Sequence, residues 1–497
     1  MPVFFFLEMY DIIILSILCA ISRTKENKFS ARVRAGILLR KTKENYMVAS
    51  RKIDMTKGSI LKAVILFAIP ICIGDMLQQL YNTVDTLIIG NFCSSASLAA
   101  VGTSSQPVEI FLCIFMGLGA AASILVSQSA GSGDKIRMQN VVNTVVSFLY
   151  MCALPLSLLG LILGPLVLNI MQVPEDAYSQ AATYVRIIFL GTLGNLGYNM
   201  NAGILRGLGD SRSTLRFLVI SCCVNIVLDL VFVAGFRMDV TGAALATMIA
   251  MLTSWICSVL YIRKKYPELD FPILPRRIEK GIVKDVISVG LPLGMNSSIY
   301  SVGHLLVQAV VNAQGTSFMA AFSIATKLTG LCKFANTSFA SAATTFAGQN
   351  KGAENYVRLR KGVKQISLAA GIIMFATGII GTIFCRPILG IFSDDPEVLF
   401  YAVRYIRIVL PWFWTFAVFS VLTKYLNGIG AVKYPTLINL LMLWAVRIPV
   451  SYAIDWFYDG TYFMYSMPIN YIFGLICVLV YFPCSKQWKE VCRLAKE

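Results

Sequence analysis

Residues 205–215 read LRGLGDSRSTL and residues 426–437 read LNGIGAVKYPTL. The second stretch repeats the first, and four more pairs keep the same order at an offset of 221 to 222 residues. Pro70 in AIP pairs with Pro292 in GLP, and LAAVG at 98–102 pairs with MAAFS at 319–323. SQSAGSGD at 127–134 pairs with GQNKGAEN at 348–355, and YVRI at 184–187 pairs with YIRI at 405–408. Chance does not hold five matches in register over half a chain. The protein is read as two copies of one unit.

What each unit is follows from composition. Of 497 residues 57% are hydrophobic and only 14% charged, against about 25% charged in soluble domains. A single soluble core stops growing at about 250–300 residues. The composition therefore excludes an ordinary soluble enzyme, a disordered chain and a disulfide scaffold. A membrane helix needs about 20 apolar residues. Twelve such runs are found, near 62–90, 96–128, 140–166, 180–204, 214–236, 241–262, 284–312, 317–346, 364–391, 398–425, 436–456 and 462–482. The expected fold is an all-α polytopic membrane protein with twelve transmembrane helices in two pseudosymmetric six-helix lobes. Six spans per unit is an even number, so both copies enter from one side as parallel repeats.

The net charge of +17 would suggest nucleic-acid binding in a soluble chain. Here position decides otherwise. Of 43 basic residues, 35 fall on the loops and tails of one side and two, Arg237 and Arg386, on the other. That asymmetry is a positive-inside signal and puts both ends of the twelve-span body in the cytoplasm. The expected divisions are an N-terminal extension at 1–54, a first lobe at 55–262, a linker at 263–283, a second lobe at 284–484 and a tail at 485–497. The extension is apolar at 2–21 but has no basic region before that run. It reads as an early-placed start, with Met47 or Met55 as the alternative first residue, or as an extra helix.

Chemistry is sparse. The thirteen cysteines form no CxxC pair and read as packing residues. His304 is the sole histidine, expected as a buried polar residue. Gly207-Leu208-Gly209-Asp210 lacks the strand–helix setting and the lysine of a phosphate loop. No nucleotide motif, resident cofactor or metal spacing is present, so any pumping must draw on an ion gradient.

Charges inside spans are costly and are functional candidates by default. In span 1, Asp75, Gln78, Asn82 and Asp85 share a helical face; in span 5, Ser221, Asn225 and Asp229 do the same. Span 6 offers Thr247, span 4 offers Asn195, Tyr198 and Asn199, and span 2 offers Glu109. At the repeat offset, Asp85 faces Val307, Asp229 faces Ser451, Asn225 faces Arg447 and Asn82 faces His304. Apart from Asp455 at the outer end of span 11, the second-lobe spans are read as free of carboxylates. An architectural feature would appear in both copies, whereas a coupling site need not. Paired carboxylates in a low dielectric repel, and a proton or Na⁺ relieves the repulsion. The oxygens of Asp85, Asn225, Asp229 and Thr247 are hard ligands suited to either. Gln78, Asn82, Asn195, Tyr198, Asn199 and Glu109 are candidate cavity or substrate residues. Pro70 and Pro292 are expected to kink the first helix of each lobe. Arg186, Arg407 and Arg447 are expected to snorkel or to meet backbone carbonyls; Lys327 has no assigned role.

Together YNTVDTLIIGNF (81–92), LAAVG (98–102), LRGLGDSRSTL (205–215), GAALAT (242–247) and RIPVSY (447–452) resemble the multidrug and toxic compound extrusion family, the MATE transporters. The resemblance runs over about residues 57–484. It implies a V of two lobes around a cavity and export of organic cations and other drugs in exchange for H⁺ or Na⁺. It also implies that Asp85 is the acid of the first helix and that Asn225, Asp229 and Thr247 complete a first-lobe cation site. The carboxylates that the NorM-like branch uses in helices 7 and 10 are missing, so the pattern is closer to the DinF-like one. The expected function is a cation-coupled antiporter in the cell membrane, acting as a monomer on small drug-like molecules. The alternative is a lipid-linked oligosaccharide flippase of the same superfamily, which would carry a more cationic cavity. A major-facilitator carrier is a weaker option, resting on GSGDKIR at 131–137.

Overall fold

A computed structural model describes the chain from Lys52 to Lys496, apart from residues 171, 172, 174 and 277 and the side chains of some helix positions, Glu109 among them. The N-terminal extension lies outside the described residues, as do both readings of it. The first copy comprises α1 (Ile60–Phe92), α2 (Ser95–Ser132), α3 (Lys135–Ile170), α4 (Glu175–Leu190), α5 (Thr192–Gly207), α6 (Ser211–Asp229) and α7 (Asp239–Lys265). The second comprises α8 (Lys280–Ala313), α9 (Thr316–Gly352), α10 (Tyr356–Leu389), α11 (Pro396–Val409), α12 (Phe413–Gly428), α13 (Lys433–Leu441), α14 (Ile448–Phe457) and α15 (Ser466–Cys484). A short amphipathic α16 (Lys486–Leu494) follows. No strand occurs among the described residues. All twelve expected runs are helical, and among the described residues nine helical segments are long and apolar enough to cross a membrane by length and composition.

The two copies share their irregularities. The fourth span of each is broken, at Gly191 between α4 and α5 and at a 3₁₀ turn, Leu410–Trp412, between α11 and α12. Pro411 has no N–H to continue the ladder there. The fifth span of each contains a π turn, Leu230–Gly235 after α6 and Met442–Arg447 between α13 and α14. The LRGLGD turn is also duplicated. Gly209 and Gly430 both take φ +89°, a left-handed geometry that glycine adopts without a Cβ clash. Asp210 then caps α6 by accepting from Ser213 N at 3.1 Å. The apparent phosphate loop is thus a helix-to-helix turn. Equivalent to Gly133 (φ +70°) is Glu354, a non-glycine residue at φ +54°.

Each copy has its own apolar core. Val142, Val145, Leu149, Phe189, Met200 and Ile204 belong to the first; Val311, Phe322, Met374, Tyr405, Phe413 and Phe463 belong to the second. Large apolar side chains that point away, such as Leu154, Ile162, Leu368 and Ile383, are well exposed, as a lipid-facing surface requires. Pro70 and Pro292 lie inside α1 and α8, and both helices continue through them. The linker lies along α3. Arg276 N donates to Ser147 Oγ at 2.9 Å, and Arg276 also binds Asp270.

The lobes meet at the end where the basic loops gather. Gln128 Nε2 donates to Gly428 O at 2.9 Å, and Gln349 Nε2 donates to Gly207 O at 3.0 Å. These are one interaction written twice, since Gln128 and Gln349 are repeat partners, as are Gly207 and Gly428. Backbones touch here. A Cβ on Gly131 would stand 1.9 Å from Gln349 O, and one on Gly352 would stand 1.9 Å from Gln128 O. Met55 is fully buried at this clasp. Its N–H donates to Gln349 Oε1 at 3.0 Å, and its carbonyl accepts from Asn350 and Arg358. The segment at 55–58, expected to open the first lobe, is therefore held by residues of the second.

Candidate functional site

The site grows from two helix ends. Asp85 stands in the last two turns of α1, and Asp229 closes α6 against its π turn. Such turns re-aim the side chains beside them and are frequent at functional sites. Asn225 is one turn before Asp229, so both project from one face. Asp229 is 0% exposed and Asn225 is 1% exposed. Asp85 Oδ1, Asn225 Oδ1 and both carboxylate oxygens of Asp229 are buried with no donor. The two acids face each other closely enough for a hydrogen bond if one proton were shared between them. Thr247 of α7 joins the group: its hydroxyl meets Asn225 Nδ2 and Tyr81 OH, both at 3.4 Å.

Four buried acceptors with nothing donating to them form a site that wants a positive charge. A proton held between the acids would satisfy two of those oxygens, and a monovalent cation would satisfy more. Among the described residues no three His, Cys, Asp or Glu side chains group as a transition-metal site would need. Asp85, Asn225, Asp229 and Thr247, predicted as one site from three different spans, are thus brought together.

Two tyrosines belong here that the sequence reading did not single out. Tyr81 lies one turn before Asp85 and is buried against Thr247. Tyr184 of α4 stands within electrostatic reach of both acids. Signals existed for both. Tyr81 shares the i, i+4 face of Asp85, and Tyr184 is the tyrosine of the repeated YVRI.

Other candidates lie elsewhere. Asn195 and Asn199 bind each other, with Asn199 Nδ2 donating to Asn195 Oδ1 at 2.9 Å. Tyr198 OH donates to the backbone of Thr214 at 3.1 Å, which makes it a tie between α5 and α6. Gln78 and Asn82 are exposed on α1 between the two acids. Asp75 lies ten residues before Asp85, about 15 Å along the helix axis. It accepts from Thr337 of α9 at 3.4 Å and feels the charge of Arg206, so it belongs to the contact between lobes. Glu109 is in α2, and its side chain lies outside the described residues. The reading of the second-lobe spans as free of carboxylates apart from Asp455 is corrected by Asp285, which stands in the first two turns of α8, beside the linker.

Two expectations about single residues are corrected. His304 is not buried: it is exposed and lines a cavity of about 360 Å³ with Gln308, Phe322 and Thr326. Arg447 does not snorkel, and neither its Nε nor its Nη2 meets a carbonyl. It is 1% exposed, and its Nε and Nη2 are unpaired, because the π turn directs it into the lobe. Arg186 and Arg407 are exposed.

At the loop end a second carboxylate is fully employed. Asp210 accepts from Lys265 Nζ, Tyr261 OH and Tyr266 OH, each at 3.0 Å, and from Ser213. Burial pushes its carboxyl up, but the Lys265 charge and the hydrogen bonds from Lys265 and Ser213 outweigh that and hold it below the ordinary 3.8. Asp210 is thus a structural anchor between α6 and α7. Asp229 has the opposite surroundings.

A duplicated twelve-helix membrane bundle is the build of a transporter. Known proteins agree on the class. The MatE family model matches residues 70–231 and 292–453, two segments that stand 222 residues apart at both ends. The chain belongs to the MATE transporter family. It is 26% identical over 439 residues to the probable multidrug resistance protein YpnP of Bacillus subtilis, covering 88% of this chain and 98% of that one. It is 22% identical over 445 residues to a probable multidrug resistance protein NorM of Thermotoga maritima, covering 88% and 95%. A solved outward-facing multidrug resistance MATE family transporter of the MOP superfamily shares the fold, with a TM-score of 0.80 at 22% identity over 90% of this chain and 99% of that one. The chain is a multi-pass membrane protein.

Proposed function

We propose that this protein exports drug-like organic cations across the cell membrane in exchange for H⁺ or Na⁺. The observation that carries the reading is the set of four donorless buried oxygens on Asp85, Asn225 and Asp229, whose repeat partners are Val307, Arg447 and Ser451. Multidrug resistance in the names of the relatives supports the substrate class. The acids favour cationic cargo over the pyrophosphate head of a lipid-linked sugar.

Mechanism follows from charge. The pair stands at the ends of α1 and α6 remote from the clasp, which closes the loop end. By the positive-inside rule that end is cytoplasmic, and so are both ends of the twelve-span body. A proton or Na⁺ arriving at Asp85 and Asp229 cancels their repulsion and lets α1 and α6 pack closer. It also removes the negative charge that held a cationic drug, and the drug leaves outward. The lobes then rock, the clasp of Gln128 and Gln349 opens, and the ion departs to the cytoplasm while a new drug enters. One charge crossing about 100 mV supplies roughly 2.3 kcal/mol, and a tenfold ion gradient adds about 1.4 kcal/mol. For a neutral drug these together sustain a several-hundredfold gradient at most; for a singly charged cation exchanged one for one no net charge crosses, and the ion gradient alone sustains about a tenfold one. The rocking unit is one chain.

The test uses protein in liposomes loaded with a cationic dye, under separate pH and Na⁺ gradients. Efflux should follow one gradient and vanish in Asp85→Asn with insertion intact. Dye movement indifferent to both gradients, or full coupled efflux in the variant, refutes the reading.

A further inference from the structure

Ion exchange at the first lobe leaves one buried charge in the second lobe unused. Arg447 is 1% exposed, and its Nε and Nη2 donate to nothing. A guanidinium cannot shed its charge, and an unpaired charge inside a membrane protein is among the most costly arrangements a fold can hold. Lys265 pairs with Asp210 and Arg276 with Asp270, neither of them in this lobe. Asp455, two turns beyond Arg447, already accepts from Gln314 at 2.6 Å.

More donors gather around it. Tyr405 is 2% exposed with its hydroxyl unpaired, and Ser451, one turn after Arg447, is 0% exposed with its hydroxyl unpaired. Tyr405 and Tyr471 stand within electrostatic reach of Arg447. His304, at the cavity of about 360 Å³, feels the charges of Arg447 and Lys333. The lobes are therefore opposites at matching positions. Asn225 and Asp229 present acceptors without donors, and their copies Arg447 and Ser451 present donors without acceptors.

We propose that Arg447, Tyr405 and Ser451 form an anion site in the second lobe that holds one small monovalent anion. A single guanidinium balances a single negative charge. Two hydroxyl donors complete a three-sided cradle, which suits chloride from solution or a carboxylate on a small solute. A doubly charged phosphate would leave one charge unbalanced in the same low dielectric. The π turn that ends on Arg447 aims the guanidinium inward and not along the helix. The proposal is independent of the coupling ion at Asp85 and Asp229, and its test does not read transport.

The test takes the purified full-length protein in detergent. Thermal midpoints are followed as chloride, bromide or acetate replaces gluconate at fixed ionic strength, and bromide-soaked crystals are examined for anomalous scattering. A saturable rise with chloride or bromide, absent in Arg447→Gln, supports the site. A rise with acetate alone supports it with a carboxylate as occupant. Tyr405→Phe and Ser451→Ala keep the charge and remove one donor each. They should weaken the anion about tenfold, which keeps the proposal testable if Arg447→Gln fails to fold. Equal midpoints in all salts, a rise that persists in every variant, or a halide-dependent rise with no bromide at Arg447 overturns it.

Discussion

Gly131→Ala tests whether the clasp holds the lobes together. A Cβ at this position would stand 1.9 Å from the carbonyl oxygen of Gln349, 2.7 Å from its carbon and 2.9 Å from its Cα, all backbone atoms. Cβ atoms essentially never approach closer than 3.0 Å, so α2 and α9 must separate by about 1 Å, and no side chain can move to avoid it. Gln128 Nε2 to Gly428 O (2.9 Å) and Gln349 Nε2 to Gly207 O (3.0 Å) then stretch toward the limit of hydrogen bonding. Each is worth about 1 kcal/mol net. With the lost packing, the clasped state is disfavoured by about 2–3 kcal/mol, a population shift of about 30- to 150-fold. Spin labels at Asp134→Cys and Ala353→Cys, both exposed on the clasp loops, would read the separation once the thirteen native cysteines are replaced. The distance distribution should move to longer values in Gly131→Ala and further when Gly352→Ala is added, with dye efflux slowed. An unchanged distribution with full efflux would show that these contacts do not set the lobe equilibrium.

Other outcomes follow from single contacts. Asp210→Asn should cost about 2–3 kcal/mol, since Lys265 and Tyr266 lose a charged acceptor, read as a lower unfolding midpoint in detergent. Because the folded carboxyl is held below its ordinary value, its contribution is fully present above about pH 4 and is lost as pH falls through the folded value. In the variant that acid-side loss should be smaller. Glu354→Gly should stabilise the fold by about 0.5–1 kcal/mol, because Glu354 is left-handed where its repeat partner is glycine; a lower midpoint would contradict this. Tyr184→Phe should preserve insertion but shift the ion concentration that half-activates efflux, since the hydroxyl stands within electrostatic reach of both acids. An unchanged half-activation value would place Tyr184 outside the site.

Much was legible in the chain because the membrane makes local signals decisive. Each span must satisfy its own backbone, so hydropathy runs mark helices; the lipid enforces a charge asymmetry, so basic residues mark sides. The duplication made Asp85 and Asp229 conspicuous as features of one copy only. Tertiary structure decided matters of convergence. That Asp85, Asn225, Asp229 and Thr247 could share one ion was suggested by their chemistry and by a family resemblance, but that α1, α6 and α7 bring them together is decided by the fold. That Tyr184 joins them from α4 was not inferred at all. Asn195, Tyr198 and Asn199 were polar in a span for the same apparent reason as Asn225, yet they spend their hydrogen bonds on each other and on a backbone. The same blindness to partners hid the fate of Arg447 and the crossed pair of Gln128 and Gln349. A sequence lists donors and acceptors, but only the packed fold says which meet. In this protein the informative groups are those that meet nothing.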